Sequence, residues 1–97
     1  MATLHIENTV RDYERWQEAF DRFERFRNEN GVRSYRICRR AGDPDQITID
    51  LEFGSTAEAE AFVPLLARIW STPQSREQLV SHEAPTILEV LRHRGDQ

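Results

Sequence analysis

An asparagine and an arginine set among apolar residues, three histidines and one cysteine are the side chains whose types could do chemistry. Asn8 falls on the same strand parity as Leu4 and Ile6, so its amide should face a core, where an unmatched amide costs about 1–3 kcal/mol. Either a neighbouring loop or water satisfies it, or it orients a substrate. Arg27 stands four residues after Phe23 and seven after Phe20, within the apolar stripe of a helix. A guanidinium there must be paired, snorkel to water, or meet an anionic ligand. Glu52 and Glu89 are the acids expected to pair with it. His82 can act as a general base, because an unperturbed imidazole titrates near neutral pH, with a pKa of ~6.5. His5, His82 and His93 have no spacing that gathers three ligands, and His82-Glu83 lacks the second helical histidine of a zinc site, so no metal is expected. Cys38 is alone, which excludes an intramolecular disulfide. The cations beside it (Arg36, Arg39 and Arg40) could favour a thiolate, though a small strand residue is the plainer reading.

Composition narrows the classes further. Ninety-seven residues allow one domain with a single core. All 13 basic residues are Arg, so a catalytic lysine is excluded, and 17 acidic residues give a net charge of −4. That balance argues against binding nucleic acid by phosphate neutralisation. No apolar run approaches the roughly 20 residues of a membrane helix, and the first residues lack the pattern of a signal peptide, so no membrane association is expected and a cytoplasmic domain is.

The elements that must position these residues follow from periodicity. Leu4, Ile6 and Val10 alternate with His5, Glu7 and Thr9 as in a half-buried strand. Asp12 can cap a helix running from Arg11 to Asn30 and stopped at Gly31. Trp16, Phe20 and Phe23 share one face of it with Tyr13 at the edge, and Glu18–Arg22 and Asp21–Arg25 are expected to pair on the solvated side. Trp16 and Tyr13 read first as core and second as aromatic surfaces against a ligand. Val32–Arg40 and Ile47–Phe53 predict a hairpin across the turn at 41–45, with Arg36 facing Asp50 or Glu52. Ser55 to Glu58 has the form of a capping box before Ala59, Phe62, Leu65, Leu66 and Ile69. Pro64 should kink or break that helix. One or two helical turns are expected within Ser75–Ser81, then a strand at Thr86–Leu91 and a frayed tail from His93 to Gln97.

The resulting order is β-α-β-β-α-β with a short extra helix before the last strand. It predicts a ferredoxin-like α+β domain over residues 1–92, helices on one face of a four-stranded antiparallel sheet. The other face carries His5, Glu7, Thr48, Asp50 and Glu52 with apolar residues of the last strand, and suits a sheet-to-sheet homodimer or water. An RNA-recognition domain shares this order, but strand 47–53 shows acids where such a domain needs aromatics and cations.

Val10-Arg11-Asp12-Tyr13-Glu14-Arg15-Trp16 with Phe20-Asp21 resembles the V-x-D-Y-x-x-W…F-D opening of proteins related to the antibiotic-biosynthesis monooxygenases. Arg27, Gly31, Tyr35-Arg36, Asp43-Pro44 and Ala61-Phe62 continue the resemblance in order, from about Leu4 to Leu91, and Leu65–Trp70 reads as an insertion. The resemblance implies a dimeric α/β barrel. Members include cofactor-independent quinone-forming monooxygenases, haem-degrading enzymes, polyketide cyclases and proteins of no known activity, so the fold is fixed better than the reaction. It implies a cleft between helices and sheet that binds an aromatic or polycyclic molecule without a cofactor. There Asn8 would hydrogen-bond a developing oxyanion, Trp70 would wall the cleft, and His82 or a cavity water would take a proton; Arg27, by its place on the helix stripe, would contact an anionic ligand if it faces that cleft. The alternative is a non-catalytic small-molecule-binding or structural homodimer. Convergence of Asn8, Arg27 and His82 on one open cavity discriminates between the two.

Overall fold

In β1 (Ala2–Val10), Ala2, Leu4, Ile6, Asn8 and Val10 are buried and the residues between them are not. The period-two pattern of the sequence therefore decides which strand face meets the helices. This computed structural model describes residues 1–95 of the chain. β1 lies at the centre of one antiparallel sheet, paired along its length with β3 (Gln46–Phe53), which pairs in turn with β2 (Ser34–Arg39). Two short strands share the other edge of β1. β4 (Leu79–His82) lies opposite Asn8, Thr9 and Val10, and β5 (Thr86–Glu89) lies opposite Ala2 to His5. The helices α1 (Tyr13–Arg22) and α2 (Glu24–Glu29) follow β1, and α3 (Thr56–Trp70) and α4 (Pro73–Gln78) follow β3. The core lies between them and the sheet, around Phe53 and Phe62, whose rings are 5.5 Å apart. Among the described residues no helix is long and apolar enough to cross a membrane.

Both expected helix starts are present. Asp12 Oδ1 accepts from the amides of Glu14 and Arg15, and Ser55 Oγ accepts from the amide of Glu58. Gly31, at φ 96°, ends α2 with the Val32 amide donating back to the Arg27 carbonyl at 3.1 Å. That bond is the six-to-one closure of a glycine-terminated helix.

Several expectations need correction. The single helix over Arg11–Asn30 is broken at Phe23 (φ −100°, ψ 14°). The Phe20 carbonyl accepts from the Phe23 amide and from Nη1 of Arg27, in place of the regular helical bond. Glu18–Arg22 and Asp21–Arg25 do not pair, and Arg25 bonds Glu29 instead. Pro64 does not end α3, because the buried face of Ala59, Phe62 and Leu66 runs past it. The expected helical turns at Ser75–Ser81 extend only to Gln78; Leu79 to His82 form β4, because the edge of β1 offers a ladder that a helix would leave unpaired. The sheet thus has five strands, the last expected strand being shortened to Thr86–Glu89. Residues 93–95 carry no regular structure, and positions 96 and 97 of the expected tail lie outside the described residues.

The helix-free face of the sheet is a ladder of matched polar groups. Thr3 donates to Glu52 at 2.8 Å, and Thr9 donates to Gln46. His5 lies 2.6 Å from Asp50 through Nδ1 and 3.0 Å from Glu7 through Nε2. Arg36 is in register with Asp50 but does not pair with it, because His5 holds that carboxylate. Hydrogen bonds to Asp50 and then Glu7 raise the pKa of His5 above the ordinary imidazole value.

Candidate functional site

Between the helices and the sheet lies an apolar cavity. Its floor is Ile6 and Asn8 of β1 with Ile49 and Leu51 of β3. One wall is Trp16, Ala19 and Phe20 of α1, then Phe23 and Arg27. The other is Phe62, Leu66, Ile69 and Trp70 of α3, then Ser75 and Leu79.

Asn8 reaches the floor because it takes an apolar position of β1, and it is 2% exposed. Its Oδ1 is buried without a hydrogen-bond partner. An acceptor left in that state weakens the fold unless something else meets it.

Arg27 is 4% exposed. Its guanidinium lies 3.5 Å over the Phe20 ring, and Nη1 donates to the Phe20 carbonyl at 2.8 Å. Neither Glu52 nor Glu89 pairs with it. The acid beside it is Glu24, one turn earlier and half exposed, 3.7 Å from Nη2 and outside hydrogen-bond reach. Nη2 is therefore buried with no hydrogen-bond partner. Burial lowers the pKa of Arg27, and the charges of Tyr35, Glu24 and Asp21 offset this only in part. A guanidinium starts so far above neutrality that it stays charged.

Aromatic rings continue from the cation. Trp16 stacks on Phe20 at 5.1 Å, and Phe20 meets Tyr35 edge-on at the same distance. Tyr13 lies 5.9 Å from Trp16 but does not line the cavity, and the guanidinium of Arg39 covers its ring at 4.9 Å.

Trp70 closes the end of α3, held there where Thr72 Oγ1 and Ser71 Oγ donate to the Ile69 and Arg68 carbonyls. His82 is exposed on β4, directly opposite Asn8 in the ladder, and its ring contacts Trp70 rather than the cavity. The structure thus gathers Asn8, Arg27, Trp16 and Trp70 on one cavity, with His82 behind Trp70 and Tyr13 outside. Sequence reasoning did not find Ser75 and Leu79. They reach the cavity because α4 is pinned to the start of α1, where Arg11 N donates to the Gln78 carbonyl at 2.8 Å and Asp12 N donates to Gln78 Oε1 at 3.1 Å. No sequence signal marks them, because the burial of Gln78 that anchors this segment does not show in a polar stretch without periodicity.

Among solved structures, SnoaB, a cofactor-independent oxygenase from Streptomyces nogalater, matches with a TM-score of 0.69 at 12% identity, over 98% of this chain and 97% of its own. A crystal structure of an antibiotic biosynthesis monooxygenase matches at 0.57 and 12% identity, over 95% of this chain and 100% of that one. An uncharacterised NIPSNAP domain protein from Burkholderia xenovorans matches at 0.61 and 13% identity, over 99% and 100%. No family model and no curated relative matches the chain. Over nearly its whole length, the chain has the α+β fold of the antibiotic biosynthesis monooxygenase structures.

Proposed function

We propose that the cavity binds an aromatic small molecule and that the protein is a cofactor-independent oxygenase of that molecule. The observation that carries the reading is the meeting of Asn8 and Trp70 on one apolar cavity, with Oδ1 of Asn8 buried and without a hydrogen-bond partner. An electron-rich phenol or its keto tautomer would lie against Trp70 and Trp16, and Nδ2 of Asn8 would donate to the oxygen on which charge develops, while its Oδ1 accepts from a ligand hydroxyl. His82, or a water between it and the ligand, would take the ring proton. The resulting carbanion reacts with dioxygen, and a ring CH2 with O2 yields a carbonyl and water, so no external reductant is required. A homodimer through the helix-free sheet face belongs to the same proposal. The polar groups on that face already bond one another, so covering it orphans few of them. A stable dimer would bury roughly 1,200 Å² or more.

The second reading is a non-catalytic binder of the same kind of ligand. The exposure of His82, outside the cavity lining, favours it. Oxygen uptake with polycyclic phenols separates the two, with His82→Ala and Asn8→Ala as the variants. Sedimentation at micromolar concentration tests the dimer, which a species of only 11 kDa contradicts.

A further inference from the structure

Two residues that line the cavity each keep a buried polar atom without a hydrogen bond, Nη2 of Arg27 and Oδ1 of Asn8. Arg27 is also the one charged residue among those lining the cavity. A cation kept at 4% exposure without a carboxylate bonded to it is costly. The chain nevertheless builds around it. The helix breaks at Phe23, and the freed Phe20 carbonyl accepts from Nη1 while the Phe20 ring supports the guanidinium plane. Those two contacts fix the orientation of the fork and leave Nη2 without a hydrogen bond, its nearest acid being the half-exposed Glu24 carboxylate at 3.7 Å.

Resting on the reading that an aromatic ring occupies this cavity, we infer that its ligand is a planar monoanion. The anionic oxygen, of a carboxylate or a phenolate, pairs with Nη2 of Arg27. A hydroxyl on the same ligand donates to Oδ1 of Asn8. Arg27 is the one charge in the lining and its ion pair with Glu24 lies outside hydrogen-bond distance, so a single anionic oxygen is the group that would complete its contacts, and the Trp16–Phe20 stack continues as an aromatic surface from the cation. Arg27 therefore selects the substrate by charge, and Asn8 by its hydroxyl.

Titration calorimetry with two isosteric probes tests this at pH 7, using 3-hydroxy-2-naphthoate and its neutral amide, 3-hydroxy-2-naphthamide. The wild-type protein should bind the acid at least ten-fold more tightly, and Arg27→Met should erase that preference. A phenolate source is read separately with 2-naphthol, whose phenolate absorbance should appear on binding to wild type and not to Arg27→Met. Equal binding of acid and amide, with no phenolate band, overturns the anion inference and leaves the aromatic-cavity reading standing. A preference for the acid that survives in Arg27→Met overturns the role of Arg27. Failure of every probe to bind overturns both readings. Circular dichroism checks that Arg27→Met is folded, and if it is not, the wild-type comparison of the two probes decides alone.

Discussion

The imidazole of His82 rests against the indole of Trp70, with ring centroids 4.1 Å apart and planes inclined at 32°. Trp70 ends α3 and His82 belongs to β4, so this contact ties the end of α3 to the edge of the sheet beside Asn8. Trp70 reaches the cavity and His82 does not, so a proton leaving a bound ligand for His82 passes the indole or travels through water. Trp70→Leu removes the ring contact and opens that wall. It should lower the unfolding free energy by about 1–2 kcal/mol, read from urea denaturation. An unchanged midpoint would show that the stacking contributes nothing.

Asn8→Leu exchanges an unpartnered buried acceptor for an apolar group of similar size. Stability should hold or rise by about 1 kcal/mol, because the orphaned Oδ1 is gone, while ligand binding falls. Loss of stability in the urea midpoint would mean that the amide has a structural partner.

Arg27→Met has two opposing effects. It gives up the hydrogen bond to the Phe20 carbonyl, worth about 1 kcal/mol, and relieves the desolvation of a cation without a bonded acid. The thermal midpoint should therefore stay close to wild type. A loss of 3 kcal/mol or more, the size expected for breaking a buried pair, would contradict the geometry around Nη2.

The pH dependence of stability should carry a signature of His5. Its folded pKa is raised by Asp50 and Glu7, so the stabilisation is complete below the unfolded value of ~6.5 and is lost as pH rises through the folded one. The ring is more than a quarter exposed, which keeps the effect to about 1 kcal/mol. Urea midpoints at pH 6 and pH 8.5 should differ in wild type, with pH 6 the more stable, and should converge in His5→Gln. Equal slopes in the two proteins would remove His5 as the cause.

The sheet and its faces were legible because alternation from Leu4 to Val10 and from Ile47 to Phe53 is what a half-buried strand requires. Asn8 and Arg27 stood out as polar residues on apolar faces, and both proved buried and short of a partner. The helix break at Phe23 was not legible, because the bond that accompanies it runs from Arg27 to a carbonyl seven residues earlier. Nor was β4 legible. Leu79 to His82 has no strand pattern of its own and pairs because β1 presents a free edge, a tertiary effect that overrides local propensity. Glu24 as the neighbour of Arg27, in place of Glu52 or Glu89, was within reach of the sequence, since the two stand three residues apart on one helix.

Oxygen consumption tests the central claim most directly. Purified protein, with no flavin, nicotinamide or metal added, is mixed with an electron-rich polycyclic phenol while dissolved oxygen and the quinone absorbance are followed together. The expected result is one oxygen consumed per quinone formed, with the rate falling about 100-fold or more in Asn8→Ala while that variant remains folded. Oxygen uptake equal to the protein-free rate, or turnover unchanged in both Asn8→Ala and His82→Ala, would contradict the account.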